Sequence, residues 1–190
     1  MTSSSTAPAN NLSELSGDYV LDVAHTRIGF AARHAMVAKI RGQFNEFAGG
    51  LSVNPEDHSK SSAHLTIKVA SIDTRNEGRD THLRSSDFLS MDEFPEITFV
   101  STGVQVTSEQ TVELTGDLTI RGVTKSITVP FEYLGASIDP FGEHRIGFEG
   151  SAVISRKDYG ITWNMVLETG GVAVSDKVTL EIEVGATKVH

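Results

Sequence analysis

The sequence predicts an all-β domain whose antiparallel strands close into an eight-stranded barrel with one short helix at an end. Three observations carry this expectation. From position 18 onward, apolar residues recur at every second position, the mark of strands with one buried face. The turns between them are short enough for antiparallel neighbours, and only one segment has the spacing of a helix. A long one-faced sheet with so little helix to cover it hides its apolar side against itself, a two-sheet sandwich being the alternative.

The strands follow in order. Tyr19, Leu21 and Val23 share one parity, whereas Ile28, Phe30, Ala32 and His34 hold the opposite one, so a bulge or bend is expected across AHTR. Met36, Ala38, Ile40, Gly42 and Phe44 make a further strand, and Ala63, Leu65, Ile67 and Val69 alternate with His64, Thr66 and Lys68. Thr74 and Glu77 have capping-box spacing, which predicts a helix from about Asn76 to Ser85; MDEFPEI then returns the chain to a strand after Pro95. Val112, Leu114, Leu118 and Ile120 form one hairpin arm; Val123, Ile127, Val129, Phe131 and Tyr133 form the other, linked at Gly122. His144, Ile146, Phe148, Ala152 and Ile154 make the next strand, and Val172, Val174, Val178, Leu180, Ile182 and Val184 the last.

The chain of 190 residues suits one domain, read as 17–190 behind a disordered tail at 1–16 rich in Ser, Thr, Ala, Asn and Pro. A net charge of -9 with no basic run argues against a nucleic-acid binder. The absence of cysteine excludes disulfides, thiolate nucleophiles and thiolate metal sites. No signal peptide and no run of ~20 apolar residues is visible, so a soluble, cytoplasmic protein without a transmembrane segment is expected.

RDTHLRSSDFL, at 79–89, holds every residue type of a hydrolase triad in Ser85, His82, Asp80 and Asp87. It lacks a glycine-flanked elbow and any visible oxyanion hole, so helix-end polar residues and turn caps are the better reading, and no catalytic residue is assigned. No metal site is assigned either, because the seven histidines include no pair at ligand spacing. His34 shares a face with Ile28 and Phe30; it is either a hydrogen-bonded core histidine or a ligand contact.

The inner face interleaves aromatic rings with Ala32, Ala38, Gly42, Gly116, Gly150 and Ala152. Either the rings close the space beside these small residues, or an apolar bore remains that holds one slender hydrocarbon chain. Each buried CH₂ of such a chain contributes about 0.8 kcal/mol.

LDVAHTRIGFAARH at 21–34, RGQF at 41–44, SIDTRN with RDTHLRSSDF at 71–88, FPEITF at 94–99, GDLTIRGVTK at 116–125 and SRKDYGI at 155–161 together resemble the YceI-like, polyisoprenoid-binding proteins. The resemblance runs from about Gly17 to Val189; Tyr19 stands where relatives often have Trp, and Thr26 where Ser is common. It implies a lipocalin-like barrel, a homodimer, and a non-covalently bound isoprenoid or other long-chain lipid, carried or stored, with no further cofactor. The expected lining is Phe30, Met36, Ile40, Phe44, Leu83, Phe88, Phe99, Phe131, Phe148 and Trp163, with His34 as the inward polar contact. Leu83 and Phe88 would close one end, and His82 and Arg84 are candidates for meeting a polar head group. The alternatives are a hydrolase acting on a lipid-like substrate and a barrel with a filled interior.

Overall fold

Alternation sets the pairing. The computed structural model describes residues 11–190, in which eleven strands form one antiparallel sheet. They are β1 (Gly17–Leu21), β2 (Arg27–His34), β3 (Ala38–Phe44), β4 (Phe47–Val53), β5 (Ser62–Lys68), β6 (Ile72–Asp73), β7 (Glu96–Val106), β8 (Thr111–Ile120), β9 (Val123–Ile138), β10 (His144–Ser155) and β11 (Lys177–Lys188). One α-helix, α1 (Glu77–Arg84), lies between β6 and β7. The ring runs β1, β4, β5, β7, β8, β9, β10, β11 and closes through the β1–β11 pair, with Tyr19 opposite Lys188. This is the expected eight-stranded barrel.

β2, β3 and β6 continue three of these strands past a bend. The first bend is a 3-10 turn at Val23–His25, where the parity switch across AHTR points to one; Asp22 caps it by accepting from the Ala24 N–H. The other two fall between β3 and β4 and at the 3-10 turn Val69–Ser71, which takes Val69 out of its expected strand. Breaks in three successive strands let the wall curl while β2 pairs with the first half of β11 and β1 with its end.

The β8–β9 turn has positive φ at Arg121 and Gly122, as a tight two-residue hairpin requires. Pro130 sits in the long strand β9 without a ladder N–H. The structure accommodates it because β9 pairs with β10 only from Phe131 onward, so the proline faces the seam where the two strands part.

Two cores fill the ring. One, at the α1 end, gathers Ile28, Phe47, Ile67, Val69, Ile72, Phe88, Leu89, Ile97, Leu118, Ile120, Tyr159 and Ile161. The other, at the opposite end, holds Leu12, Leu15, Tyr19, Tyr133, Ile146 and Ala186. Its first two members correct the expectation of a tail through Ser16: Leu12–Glu14 form a 3-10 turn, and Leu12 and Leu15 are 6% and 3% exposed. The rest of the expected tail lies outside the described residues.

Candidate functional site

Between the two cores runs a cavity of about 250 Å³. Its walls are the inward positions of the ring strands: Leu21, Ile28, Phe30, Phe44, Leu51, Leu65, Ile67, Phe99, Val104, Val112, Leu114, Ile127, Val129, Phe131, Phe148, Leu180, Ile182 and Val184 among them. No charged residue lines it, and its polar lining is Ser52, His58, Ser61, Ser62 and His64, on and around the connection from β4 to β5. Leu12 and Leu15 lie over the same end. The mouth is therefore beside β4 and β5, and the α1 end is packed shut.

The rings and the small residues turn out to be partners. A Cβ on Gly42 would collide with the Phe30 ring, one on Gly116 with the Phe99 ring, and one on Gly150 would come within 2.6 Å of Phe131. Each ring lies across a glycine of the next strand, so the volume the glycines release is taken by phenyl groups. The open bore lies between those rings and the aliphatic walls. Phe30 and Phe44 meet at 5.6 Å, and Tyr133 and Phe148 at 5.2 Å, in tilted arrangements.

Of the residues expected to line the bore, the structure brings Phe30, Phe44, Phe99, Phe131 and Phe148 together around it. The others lie elsewhere, and one cause accounts for three of them. The β2–β3 hairpin projects beyond the packed end, so His34 is exposed, paired with Ala38 and bridged to Val174, and is no inward contact. Met36 falls in that turn with φ 61°, which directs it to solvent at 57% exposure; Ile40, paired with Ala32, is half-buried below the cavity.

Leu83, Phe88 and Trp163 belong to the packed end. His82 stacks edge-on between Phe88 at 4.9 Å and Trp163 at 4.6 Å, and its Nε2 lies 2.8 Å from Asp87 Oδ2. Arg84 donates to the carbonyls of Ala70 and Ile72. Neither is placed to meet a head group at the mouth. RDTHLRSSDFL is thus the stopper of the closed end rather than a cover over the open one.

Its internal bonds also argue against nucleophilic chemistry there. Ser85 Oγ donates to the His82 carbonyl at 2.6 Å rather than to the imidazole. The helix is capped by Asn76, which accepts from the Arg79 N–H, while Thr74 gives both its N–H and its hydroxyl to the buried Asp80 carboxylate. Arg79 closes the knot by donating to Thr74. Among the described residues, no group of three or more His, Asp or Glu side chains could hold a metal ion.

The stopper is locked from behind by Arg156, buried in the 3-10 turn Arg156–Tyr159, whose guanidinium donates to the carbonyls of Ile161, Trp163, Val174 and Ser175. Burial lowers its pKa, opposed by the charge of Asp176. Tyr159 is buried with its hydroxyl unpartnered, and burial pushes its pKa up to about 12.

A family model described as the YceI-like domain matches residues 19–186. The chain belongs to the YceI-like family. A UPF0312 protein of Staphylococcus aureus is 41% identical over 165 residues, 86% of this chain and 94% of that one. The crystal structure of the Campylobacter jejuni YCEI protein shares 31% identity and a TM-score of 0.71, covering 90% of this chain and 97% of its own. A domain of Saccharophagus degradans described as polyisoprenoid-binding has the same fold at 16% identity and a TM-score of 0.69, covering 90% and 98%. Among the described residues of this YceI-like protein, no helix is long and apolar enough to cross a membrane.

The residues that sequence reading missed are the aliphatic walls and the pair Leu12 and Leu15. The walls were visible as strand alternation, but without rings they carried no mark that set them apart from ordinary core. The pair was signalled only by two leucines three apart in NLSELS.

Proposed function

We propose that this YceI-like protein is a non-enzymatic binder of one long-chain, isoprenoid-like lipid, held for transport or storage. The observation that carries the reading is a bore with no charged residue in its lining, sealed at one end and polar only at its rim. Such a site rewards a hydrocarbon chain at about 0.8 kcal/mol per CH₂ and gives a charged or strongly hydrated molecule nothing to bond. The hydroxyls of Ser52 and Ser62 and the rings of His58 and His64 offer a polar end its hydrogen bonds at the mouth. Catalysis has little support in the lining, which holds no carboxylate; of its serines, Ser61 has its Oγ accepting from the Asn54 N–H rather than bonded to an imidazole. The S. degradans neighbour's description as polyisoprenoid-binding agrees with this reading. A cytoplasmic setting and a homodimer belong to the same proposal.

Leu114→Arg places a cation among the aliphatic walls. With the far-ultraviolet circular dichroism unchanged, the variant is expected to lose binding of a tritiated prenyl alcohol that the parent chain retains. Equal retention by both would sink the reading.

A further inference from the structure

We propose that the segment Asn11–Ser16 sets the length of ligand the cavity accepts, with Leu12 and Leu15 as the specificity-determining residues; the inference rests on the lipid-binding reading above. The segment leaves β1 at Gly17, whose partner is Val53 on β4. It ends at the β7–β8 turn, where the Leu12 N–H donates to the Glu109 carbonyl at 3.1 Å. Around the ring, β4 and β5 stand between β1 and β7, so the two anchor points face each other across the opening. The segment is a strap over the mouth.

Its geometry turns both leucines the same way. Leu12–Glu14 is a 3-10 turn closed by the Leu15 N–H on the Leu12 carbonyl, and residues three apart in such a turn eclipse one another. Both side chains are buried and both line the cavity. At the other end, Ile28, Ile67, Leu118 and Ile120 belong at once to the cavity wall and to the packed core. The bore is thus bounded by a rigid floor and a strap outside every sheet ladder.

A cavity of about 250 Å³ has room for on the order of ten non-hydrogen atoms, the size of a prenyl alcohol with about two isoprene units. A longer chain reaches the strap and must lift the two leucines out of their contacts. Up to that length each added unit gains burial; beyond it, the gain is cancelled by apolar surface the strap exposes.

The test uses the full chain, stripped of bound lipid and titrated with prenyl alcohols of increasing length: prenol, geraniol, farnesol and geranylgeraniol. The parent chain is expected to tighten at least about tenfold per unit and to stop near geraniol. Leu12→Ala with Leu15→Ala is expected to move that limit at least one unit longer, and Leu12→Phe to move it about one unit shorter. If melting shows the double variant unfolded, Leu12→Phe decides alone. Binding whose limit stays where the parent's lies, in folded variants, overturns the strap's role and leaves lipid binding intact. A parent chain that takes up no prenyl alcohol of any length overturns both.

Discussion

At the scale of single residues, the bore depends on where side-chain volume is withheld. Phe30, Phe99 and Phe131 can lie flat against the wall because Gly42, Gly116 and Gly150 have no Cβ to push them inward. Gly116→Val would drive the Phe99 ring into the bore; the expected result is a loss of about 1–3 kcal/mol in urea unfolding, together with weaker lipid uptake. Arg156 is the opposite case, a buried charge stabilised by carbonyls instead of a carboxylate contact. Arg156→Met orphans those carbonyls, and an unfolding free energy lower by about 3 kcal/mol is expected. The unpartnered Tyr159 hydroxyl predicts that Tyr159→Phe is neutral or stabilising, by up to about 1 kcal/mol in the same measurement. The glycines and the rings were both readable in the sequence, but their pairing was not, because it depends on which strand follows which around the ring.

Among the elements, the outer face of the barrel carries a conflict that the inner face does not. Glu132, Glu149 and Glu183 are exposed and directly opposite one another on β9, β10 and β11, with Arg27 opposite the last. Like charges opposed across strands destabilise, so Glu149→Lys is expected to raise stability by about 0.5–1 kcal/mol, with the gain shrinking as salt is added. A second set of charges clamps the first bend to the β9–β10 hairpin: Arg145 bonds both Asp22 and Asp139, and His25 Nδ1 lies 2.7 Å from Asp22. The Arg145 guanidinium, then the His25 ring, holds the Asp22 carboxyl below its ordinary 3.8. A depressed carboxylate stabilises the fold above its unfolded value, and that contribution is lost as pH falls through the folded one. Asp22→Asn should therefore flatten the decline in melting temperature below about pH 4, and an unchanged acid limb would count against the clamp. Alternation made most strands legible, the parity switch revealed the bend at Val23–His25, and α1 falls within a residue of its expected ends, although Asn76 caps it and the Thr74–Glu77 box does not form, Thr74 bonding Asp80 instead. What failed was position along the axis. Parity says which face a residue holds but not how far the barrel extends, so His34, Met36 and Ile40 kept an inward reading in a hairpin that had already left the bore.

For the whole molecule, the same limit misplaced the mouth. RDTHLRSSDFL closes one end as expected, but as a stopper beneath a solid core, and the mouth expected near His82 and Arg84 lies at the other end under two leucines in a stretch of Ser and Asn. A segment so short and polar has no periodicity from which burial could be read; only the closed ring shows that there is an opening for it to cross. The central claim is that the space between the two cores is built for a hydrocarbon chain, and chemical analysis of the protein as purified tests it most directly. Organic extraction under non-denaturing preparation, followed by mass spectrometry, is expected to release close to one molecule per chain, with an unbranched or isoprenoid tail. A chain that yields no lipid, and whose melting temperature does not move when prenyl alcohol is added, would contradict it.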